Sequence, residues 1–515
     1  MRNAECRMKK LKPPNHTPHS ALPTTLLSRL AMIDAIRQEG GNPYPERFER
    51  THTLREATLL EEGTSDVRIC GRLVSLRKMG KLAFGHLQDV LGRMQICMSV
   101  DHLGPEPFKE FLQRIDIGDF LGVSGDVFRT RTGEITVAVK AYQLLGKALR
   151  PLPEKWHGLQ DIELCQRKRY LDLIMSEETQ QRFLLRSRII SEIRAFLEHH
   201  SFIEVDTPVL TNKHGGANAR PFVTHHNALD IDVYLRIAPE TYLKRLIVGG
   251  FDRVYEFARC FRNEGSSPGH IQDFTMLEFY AAYWNFRDNL NFTRLLILNV
   301  LEKTLGKTQI TFKGEIINFG ELWRVVSYTD LLKECSGIDI AEHPTKESLL
   351  KVAEEAGIEF EDIDTQKAGR GTLIDSLYKK TSRSRLIQPT VLIGHPREIS
   401  PLARANDDNP AIVDRFQVVV CGSEIVNAYS ELVDPVDQRQ RLEEQARQRA
   451  AGDEEAMPLD EDYLEAMEYG MPPISGFGMG IDRFVALLTG QDNIRSAVLF
   501  PLMRLESQEA AGEPS

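Results

Sequence analysis

Two stretches of alternating side chains, joined by a wide polar loop, constrain the fold of this chain more than any other feature. They lie in the segment FARCFRNEGSSPGHIQDFTMLEF, which runs from Phe257 to Phe279. Alternation with a period of two predicts two strands of a half-buried antiparallel sheet. One face of the first arm carries Val254, Glu256, Ala258, Cys260 and Arg262, and one face of the second carries Phe274, Met276, Glu278 and Tyr280. Charged side chains on a sheet usually face water, so charges on a buried face would need a specific function.

Short predicted strands dominate an earlier region, from about residue 65 to 145. Turns at Gly80, Gly92 and Gly133 separate them, and the helical segment PFKEFLQRI lies between the third and fourth strands. Five strands with a helix in that position are typical of an OB-fold barrel, which often binds single-stranded nucleic acid. A generic small barrel has the same periodicity.

Length and composition constrain the number of domains, the kinds of partner and the cellular location of the chain. Its 515 residues predict roughly two to four domains, and its formal net charge of −10 argues against indiscriminate nucleic-acid binding. The seven cysteines lack the spacing of a disulfide framework or a zinc knuckle, which favours reduced thiols and a cytoplasmic location. No stretch has the length and apolarity of a signal peptide or a membrane span, so no membrane partner is expected.

Acidic side chains occur in two segments that would otherwise be apolar. Glu240 begins a predicted helix in RIAPETYLKRLIVGG, where an acidic residue is often only a partner for the helix dipole. The strand pattern VVVCGSEIVNAYSEL contains Glu424 and places Asn427, Tyr429 and Glu431 on one face. Burying a carboxylate is costly without a cation, so we expect either a structural salt bridge or a cationic ligand there.

A third segment, GFGMGIDRF, has three alternate glycines before a predicted helix that begins near Asp482 and Arg483. Glycines allow close approach to the backbone, and an arginine at a helix entry can reach a phosphate. Arg262 and Arg483 could neutralise phosphate charge while Phe274 stacks on a base and Glu424 holds magnesium. The three segments therefore favour metal-assisted nucleotidyl transfer to a cationic small molecule.

From about residue 30 to 504 the chain resembles the class II lysyl-tRNA synthetases of the bacterial type. The three class II motifs are matched by FIEVDTPVL, by the Phe257 to Phe279 segment with its Phe-Arg-Asn-Glu core, and by GFGMGIDRF. Lysine-type signatures accompany them, namely KWHGL, RYLDLI, HGGANARPF, RIAPETYLKRL, REISPLARANDDNP, EIVNAYSEL and EEAMPLDEDYLEAMEYGMPP. The resemblance implies an α+β fold, with an N-terminal five-stranded OB-fold β-barrel and a class II antiparallel sheet flanked by helices.

The same resemblance implies a two-step ligase reaction. Lysine and ATP with Mg²⁺ would give lysyl-adenylate and pyrophosphate, and the lysyl group would then pass to the 3′ end of tRNA(Lys) with release of AMP. L-lysine, ATP and tRNA(Lys) are the expected partners, Mg²⁺ is the expected cofactor, and the VDTP segment implies a homodimer. Because no covalent enzyme intermediate is implied, the protein's task is to align the lysine carboxylate with the α-phosphate and to offset developing charge.

Roles for individual residues follow from the matched motifs. Arg262 would be catalytic, bridging the α-phosphate and the lysine carboxylate. The implied ATP-binding residues are Arg262, Glu264, His270, Phe274 and Arg483. The implied lysine-binding residues are Gly216 and Glu240 for the α-amino group, Asn427 for the carboxylate, and Glu278, Tyr280, Tyr429 and Glu431 for the side chain and its ammonium. The implied anticodon readers on the barrel are Arg77, Phe84 and Gln95.

Glu424 is the implied metal ligand, and here the chain departs from the family. Gln417 stands where the family usually has a second carboxylate, which leaves the number of Mg²⁺ ions open. Ile271 and Gln272 replace the more usual Asn-Pro, and Ala428 stands where glycine is common, but neither change removes a required charge.

The expected domain organisation follows the same matches. It comprises a basic disordered tail at 1–24, a helix and lead-in at 25–64, the OB-fold anticodon-binding domain at 65–146, a linker at 147–178, a class II catalytic domain at 179–505 with a helical insertion at about 333–385, and a disordered tail at 506–515.

Other functions fit parts of the pattern. Aspartyl- and asparaginyl-tRNA synthetases share the barrel and the motifs, but a pocket with several glutamates would repel an aspartate side chain. A paralogue that lysylates a translation factor lacks the N-terminal barrel. A catalytically inactive RNA-binding or regulatory relative would keep the fold without any need to retain Arg262, Phe274, Glu424 and Arg483.

Overall fold

A computed structural model describes residues 24–153, 161–217, 219–265, 267–360, 363–366, 368–452 and 456–504. The expected tails, apart from residue 24, and the KWHGL segment lie outside these described residues. The chain divides into two compact units, Met1–Gln160 and Asp161–Ser515. In the described part, no helix is long and apolar enough to cross a membrane.

The first unit contains a closed barrel in the strand order β1-β2-β3-β5-β4. Its elements are α1 (Thr24–Gln38), α2 (Leu54–Ala57), β1 (Val67–Met79), β2 (Leu82–Gln88), β3 (Arg93–Ser99), α3 (Val100–Leu103), α4 (Pro105–Arg114), β4 (Phe120–Arg129) and β5 (Ile135–Gly146). Gly80 and Gly133 have positive φ at two of the predicted turns, where glycine avoids strain. The apolar sides of the strands fill the barrel, and the helices α3 and α4 lie between the third and fourth strands, which confirms the OB-fold prediction.

The second unit is mixed α and β. Its helices are α5 (Ile162–Arg167), α6 (Arg169–Met175), α7 (Glu177–His199), α8 (Glu240–Val248), α9 (Phe286–Leu305), α10 (Tyr328–Ser336), α11 (Lys346–Glu355), α12 (Arg370–Thr381), α13 (Pro435–Ala450), α14 (Glu461–Glu468) and α15 (Ile481–Leu488). Its strands are β6 (Ile203–Glu204), β7 (Leu210–Thr211), β8 (Val223–His226), β9 (Ile231–Leu235), β10 (Arg253–Phe261), β11 (Asp273–Ala282), β12 (Gln309–Phe312), β13 (Glu315–Asn318), β14 (Arg324–Ser327), β15 (Thr390–Ile393), β16 (Arg415–Val420), β17 (Ser423–Ser430) and β18 (Ile474–Gly480). Short 3₁₀ helices occupy Arg383–Arg385, Arg397–Ile399 and Ile494–Ala497.

An eight-stranded sheet organises this unit, in the order β14-β15-β16-β17-β18-β11-β10-β6. The strands from β15 to β10 pair antiparallel with their neighbours, as the class II expectation requires. One face of the sheet packs on α7, α9 and α15 through a large apolar core to which Leu277, Phe279, Phe477 and Met479 contribute. Because strand side chains alternate, the residues between these core positions point to the opposite face. That opposite face carries the polar residues singled out in the sequence.

Candidate functional site

The segment from Phe257 to Phe279 folds as predicted, with β10 and β11 paired antiparallel along their whole length. Glu278 lies opposite Glu256, and Tyr280 lies opposite Val254, all on the face away from the main core. Glu256 is held structurally, because Arg236 Nη1 lies 2.6 Å from its Oε1 and Thr207 Oγ1 donates to its Oε2 at 2.7 Å. These two partners bind Glu256 and not the second carboxylate, Glu278.

This face of the sheet forms the floor of a cavity of about 1170 Å³. The volume exceeds that of most small-molecule pockets, which enclose roughly 300–1,000 Å³. All the site residues predicted in this unit line the cavity, namely Gly216, Glu240, Arg262, Glu264, His270, Phe274, Glu278, Tyr280, Gln417, Glu424, Asn427, Tyr429, Glu431 and Arg483. The structure therefore brings together residues that are separated by more than 200 positions in the chain.

One end of the cavity is acidic. Glu240, the first residue of α8, and Glu431, just beyond β17, are both buried against Lys244 on the next turn of α8. Lys244 Nζ donates to Glu240 Oε1 at 2.6 Å and forms an ion pair with Glu431. Tyr429 also donates its hydroxyl hydrogen to Glu240 Oε1, at 2.7 Å. A structural salt bridge, one of the two alternatives expected for this strand, is therefore present.

Glu278 differs from the other two carboxylates. It is buried, and among the described residues no Lys, Arg or His side chain forms an ion pair with it. Tyr280 donates to its Oε2 at 3.2 Å. Burial, followed by the neighbouring charge of Glu240, raises the pKa of Glu278 well above its ordinary value. A cationic group placed beside Glu278 would relieve this electrostatic cost.

Two glycines allow the acidic groups to approach the backbone. A Cβ at Gly476 in β18 would lie 2.1 Å from Glu431 Oε1 and 2.5 Å from the Tyr280 ring, so no other residue fits there without movement. Gly216 has a φ of +85°, and a Cβ there would lie 2.9 Å from the Cβ of Glu240. Gly476, the first glycine of GFGMGIDRF, and Gly216 thus serve close packing of the acidic end.

The opposite end of the cavity is basic and aromatic. The guanidinium of Arg262 lies 5.1 Å from the centroid of the Phe274 ring, and its buried Nε has no hydrogen-bond partner within the described residues. Arg483 Nη1 donates to the backbone oxygen of Glu424 at 2.7 Å. His270 bonds to Ser267 Oγ through Nδ1, and its pKa is lowered by burial and by the charge of Arg483. Two arginines in such a site suit phosphate groups.

Glu424 and Gln417 lie together at this basic end, with Gln417 Nε2 2.5 Å from Glu424 Oε2. A β-bulge between β16 and β17 pairs Glu424 with Val419 and Asn427 with Gln417, so that Glu424 joins the cavity face although its sequence parity is opposite. One carboxylate and one amide oxygen are hard donors of the kind that Mg²⁺ accepts together with substrate phosphates, and rotation of the Gln417 amide presents its oxygen. The donor set fits Mg²⁺.

Comparison with known proteins places these features in a family. The family described as "tRNA synthetases class II (D, K and N)" matches residues 161–504, and an OB-fold nucleic acid binding domain matches 67–145. The chain is 46% identical over 488 residues to the lysine--tRNA ligase of Carboxydothermus hydrogenoformans, covering 94% of this chain and 99% of that protein. For the lysine--tRNA ligase of Pelotomaculum thermopropionicum the identity is 48%, with coverage of 92% and 94%. The lysine--tRNA ligase of Bacillus subtilis is 44% identical, with coverage of 94% and 98%.

The chain belongs to the class II lysine--tRNA ligase family. The cavity described above lies within the portion that matches the synthetase family, and the barrel lies within the portion that matches the nucleic-acid binding domain.

The three barrel residues matched to anticodon readers lie on neighbouring strands. Arg77 on β1 pairs with Phe84 on β2, and Gln95 lies on β3 opposite His86. Arg77 is exposed, whereas Phe84 is half-buried. The amide of Gln95 is engaged at both ends, donating to Glu134 Oε2 and accepting from Thr136 Oγ1, each at 2.7 Å. These bonds hold the amide in one orientation.

Sequence reasoning missed several residues that shape the site of this synthetase-family chain. The contact of Lys244 with Glu240 could have been predicted from the sequence, because a glutamate followed by a lysine four residues later forms a pair on one helix face. Arg415 Nε donates to Asn427 Oδ1 at 2.8 Å, and no sequence pattern indicated this contact. The charge-rich stretch interpreted as an insertion also contributes to the cavity wall, through Arg370, Asp375 and Lys379. Their approach depends on tertiary structure that no local pattern encodes.

Proposed function

We propose that this chain is a lysine--tRNA ligase that activates L-lysine with ATP and transfers it to tRNA(Lys). One observation carries the proposal: a single cavity has three glutamates, Glu240, Glu278 and Glu431, at one end and two arginines, Arg262 and Arg483, at the other. A substrate with an ammonium at the far end of its side chain and a carboxylate to be joined to phosphate complements that distribution of charge.

The lysine side chain enters the acidic end in this proposal. Glu278, Tyr280 and Glu431 surround the ε-ammonium, with Tyr429 beside them, and Glu240 together with the Gly216 backbone holds the α-ammonium. The raised pKa of Glu278 supports this arrangement, because a buried carboxylate with that electrostatic cost gains most from a cationic neighbour. An aspartate or asparagine side chain would leave these carboxylates buried without the cation they need.

The reacting atoms lie between the two ends. Arg262 is positioned to contact both the lysine carboxylate and the α-phosphate, as its unpartnered buried Nε and its place beside Phe274 suggest. Arg415 holds the oxygen of the Asn427 amide, so that the NH₂ group is the end available to the lysine carboxylate. Attack of that carboxylate on the α-phosphate needs no protein nucleophile, and its acceleration comes from alignment and charge stabilisation.

The adenosine triphosphate occupies the basic end. Phe274 stacks on adenine, Arg483 covers its other side and reaches the γ-phosphate, and Glu264 and His270 contact the adenine and the phosphates. Glu424 and Gln417 would hold Mg²⁺, which would neutralise phosphate charge when bound. His270 is held neutral near physiological pH by its lowered pKa, so it donates or accepts a hydrogen bond without adding charge.

Recognition of tRNA(Lys) belongs to the barrel in this proposal. Phe84 stacks on an unpaired anticodon base, and Arg77 and Gln95 bond to base edges, as single-stranded RNA permits. Glu134 and Thr136 hold the amide of Gln95 in one orientation, so less conformational entropy is lost when it binds RNA.

We also propose a homodimer and a cytoplasmic setting. Exposed apolar side chains cluster around the small β7-β9-β8 sheet and the VDTP segment, namely Ile203, Val209, Leu210, Val223 and Ile231. Leu210 and Ile231 lie on the same face of this sheet, and an exposed apolar face is typical of a protein interface. All cysteines within the described residues are free, as in a reducing compartment.

Amino-acid-dependent ATP–pyrophosphate exchange tests the proposed activity. The purified chain is assayed with lysine, aspartate and asparagine in turn, and we expect exchange with lysine alone. A folded sample that binds tRNA(Lys) but gives no lysine-dependent exchange would instead be the inactive RNA-binding relative, and exchange with aspartate or asparagine would reassign the substrate.

A further inference from the structure

A lysine of the protein itself lies directly behind the acidic end of the cavity. The side chain of Lys244 has no exposed surface, and its Nζ contacts the carboxylates of both Glu240 and Glu431. The same nitrogen lies 5.8 Å from the ring centroids of Tyr429 and Tyr463. Lys244 therefore ties α8 to the end of β17 and to α14 at one point.

Nothing in the packing of α8 requires a cation at this position. Leu243 and Ile247 on the buried side of the helix are apolar, and beside them an apolar residue at 244 would avoid burying an ammonium; the charged residue on that side is Glu240, one turn earlier. The presence of Lys244 is explained by the two buried carboxylates that it contacts. Without it, both would be left without a charged partner among the described residues, which is among the costliest arrangements in a protein interior.

The charges at the acidic end then match the substrate. Glu240, Glu278 and Glu431 with Lys244 leave two negative charges, and lysine brings two ammonium groups. With all three carboxyls ionised but without Lys244, the site would hold one more negative charge than the two ammonium groups can neutralise, so the pKa values of these buried carboxyls would rise further.

The contacts of Lys244 also fix the orientation of the Glu240 carboxylate. Lys244 and Tyr429 both bond to Oε1 of Glu240, at 2.6 and 2.7 Å, which leaves Oε2 for a ligand. Two donors on one oxygen hold the carboxylate in a single rotamer before the substrate arrives, and such preorganisation lowers the entropy cost of binding.

We propose that Lys244 is a positioning and specificity-determining residue, a resident ammonium that offsets one of the three pocket carboxylates and orients Glu240 and Glu431 toward the two ammonium groups of lysine. This inference rests on the proposed function, since it takes the acidic end as the lysine site. Lys244 does not line the cavity, so in this proposal it acts only through the two glutamates.

Replacement of Lys244 tests the inference. Lys244→Met keeps the length of the side chain and removes the charge, and we expect it to raise the KM for lysine by roughly 10- to 100-fold in ATP–pyrophosphate exchange while the KM for ATP stays unchanged. Lys333→Met is the matched control, because Lys333 is an exposed lysine that pairs with Asp339 and does not line the cavity. It should leave both constants unchanged.

Chemical rescue separates charge from packing. Lys244→Ala deletes the equivalent of n-propylammonium, so adding that cation should restore lysine-dependent exchange, whereas the neutral 1-propanol of similar shape should not. In the unmodified protein propylammonium should only compete weakly with lysine. If Lys244→Met fails to fold, Lys244→Ala refolded with propylammonium or with 1-propanol becomes the deciding measurement.

Three results would overturn the inference: an unchanged lysine KM in Lys244→Met, an equal rise of both KM values, or no advantage of propylammonium over 1-propanol. Each is distinct from failure of the proposed function, which would appear as absence of lysine-dependent exchange in the unmodified protein.

Discussion

Glu431 is the residue on which the account of lysine recognition depends most, because it contacts Lys244 and also lines the cavity. Glu431→Gln keeps the shape and removes the charge, so we expect lysine binding to weaken by about 2–4 kcal/mol with ATP binding nearly intact. Calorimetric titration with each ligand measures both. Glu465→Gln, an exposed change on α14, is the control. Unchanged lysine affinity would remove Glu431 from the binding site.

Gly476 and Gly478 provide a matched pair on one strand. A Cβ at Gly476 would meet Glu431 Oε1 at 2.1 Å, whereas a Cβ at Gly478 would meet Met276 Cε at 3.4 Å, an ordinary contact. We therefore expect Gly476→Ala to lower both the melting temperature and the lysine affinity, and Gly478→Ala to leave the melting temperature near that of the parent. Equal melting temperatures for the two variants would contradict the packing described here.

The buried carboxyl of Glu278 predicts a pH effect on lysine binding. Its pKa is raised from 4.5 by burial and by Glu240, and an ammonium placed beside it lowers that pKa again. Between the pKa values of the bound and free states, lysine binding should release protons, so affinity rises with pH and levels off above the free-state value.

Calorimetry in buffers of different ionisation enthalpy measures this proton release. Glu278→Gln should abolish the buffer dependence that Glu278 causes. A binding enthalpy in the unmodified protein that is the same in every buffer would place the lysine ammonium elsewhere.

At the scale of elements, the strands were predictable and one bulge was not. Period-two alternation identified β10, β11 and the barrel strands, and the faces assigned to Glu278 and Tyr280 are correct, because burial on one side leaves a clear pattern. Glu424 reaches the same surface only because the bulge opposite Val419 shifts the register of β17. A bulge depends on the partner strand, which local periodicity does not record.

The barrel yields a prediction that separates it from the synthetase unit. Phe84→Ala should weaken charging of tRNA(Lys) by about 1–3 kcal/mol, the value of one stacked base, and leave lysine-dependent exchange unchanged. Phe120→Ala is the control, since Phe120 is an exposed aromatic on β4. If exchange and charging fell together, Phe84 would be a structural residue.

At the scale of the whole molecule, the apolar cluster near β7 predicts association. Leu210, which is 49% exposed, should lie in the dimer interface, so Leu210→Lys should give monomers in sedimentation velocity while the unmodified chain sediments as a dimer. Leu322→Lys is the control, because Leu322 is 88% exposed in another part of the unit. A monomeric parent protein would reject the interface.

Sequence motifs predicted the architecture and many of the residues that line the cavity. They did not predict the charged residues that contact those lining residues from behind. Motifs identified residues that line the cavity, as with Arg262 and Glu431. Lys244 and Arg415 act behind them, and the wall formed by α12 comes from a stretch without motifs. Such contacts arise only when distant segments pack together.

The decisive measurement is a structure of the protein with lysine, Mg²⁺ and a non-hydrolysable ATP analogue bound. The ε-ammonium should lie within hydrogen-bonding distance of Glu278 and Glu431, with adenine between Phe274 and Arg483 and the lysine carboxylate beside Arg262. A lysine bound with its ammonium away from all three glutamates, or adenine at the acidic end, would contradict the account.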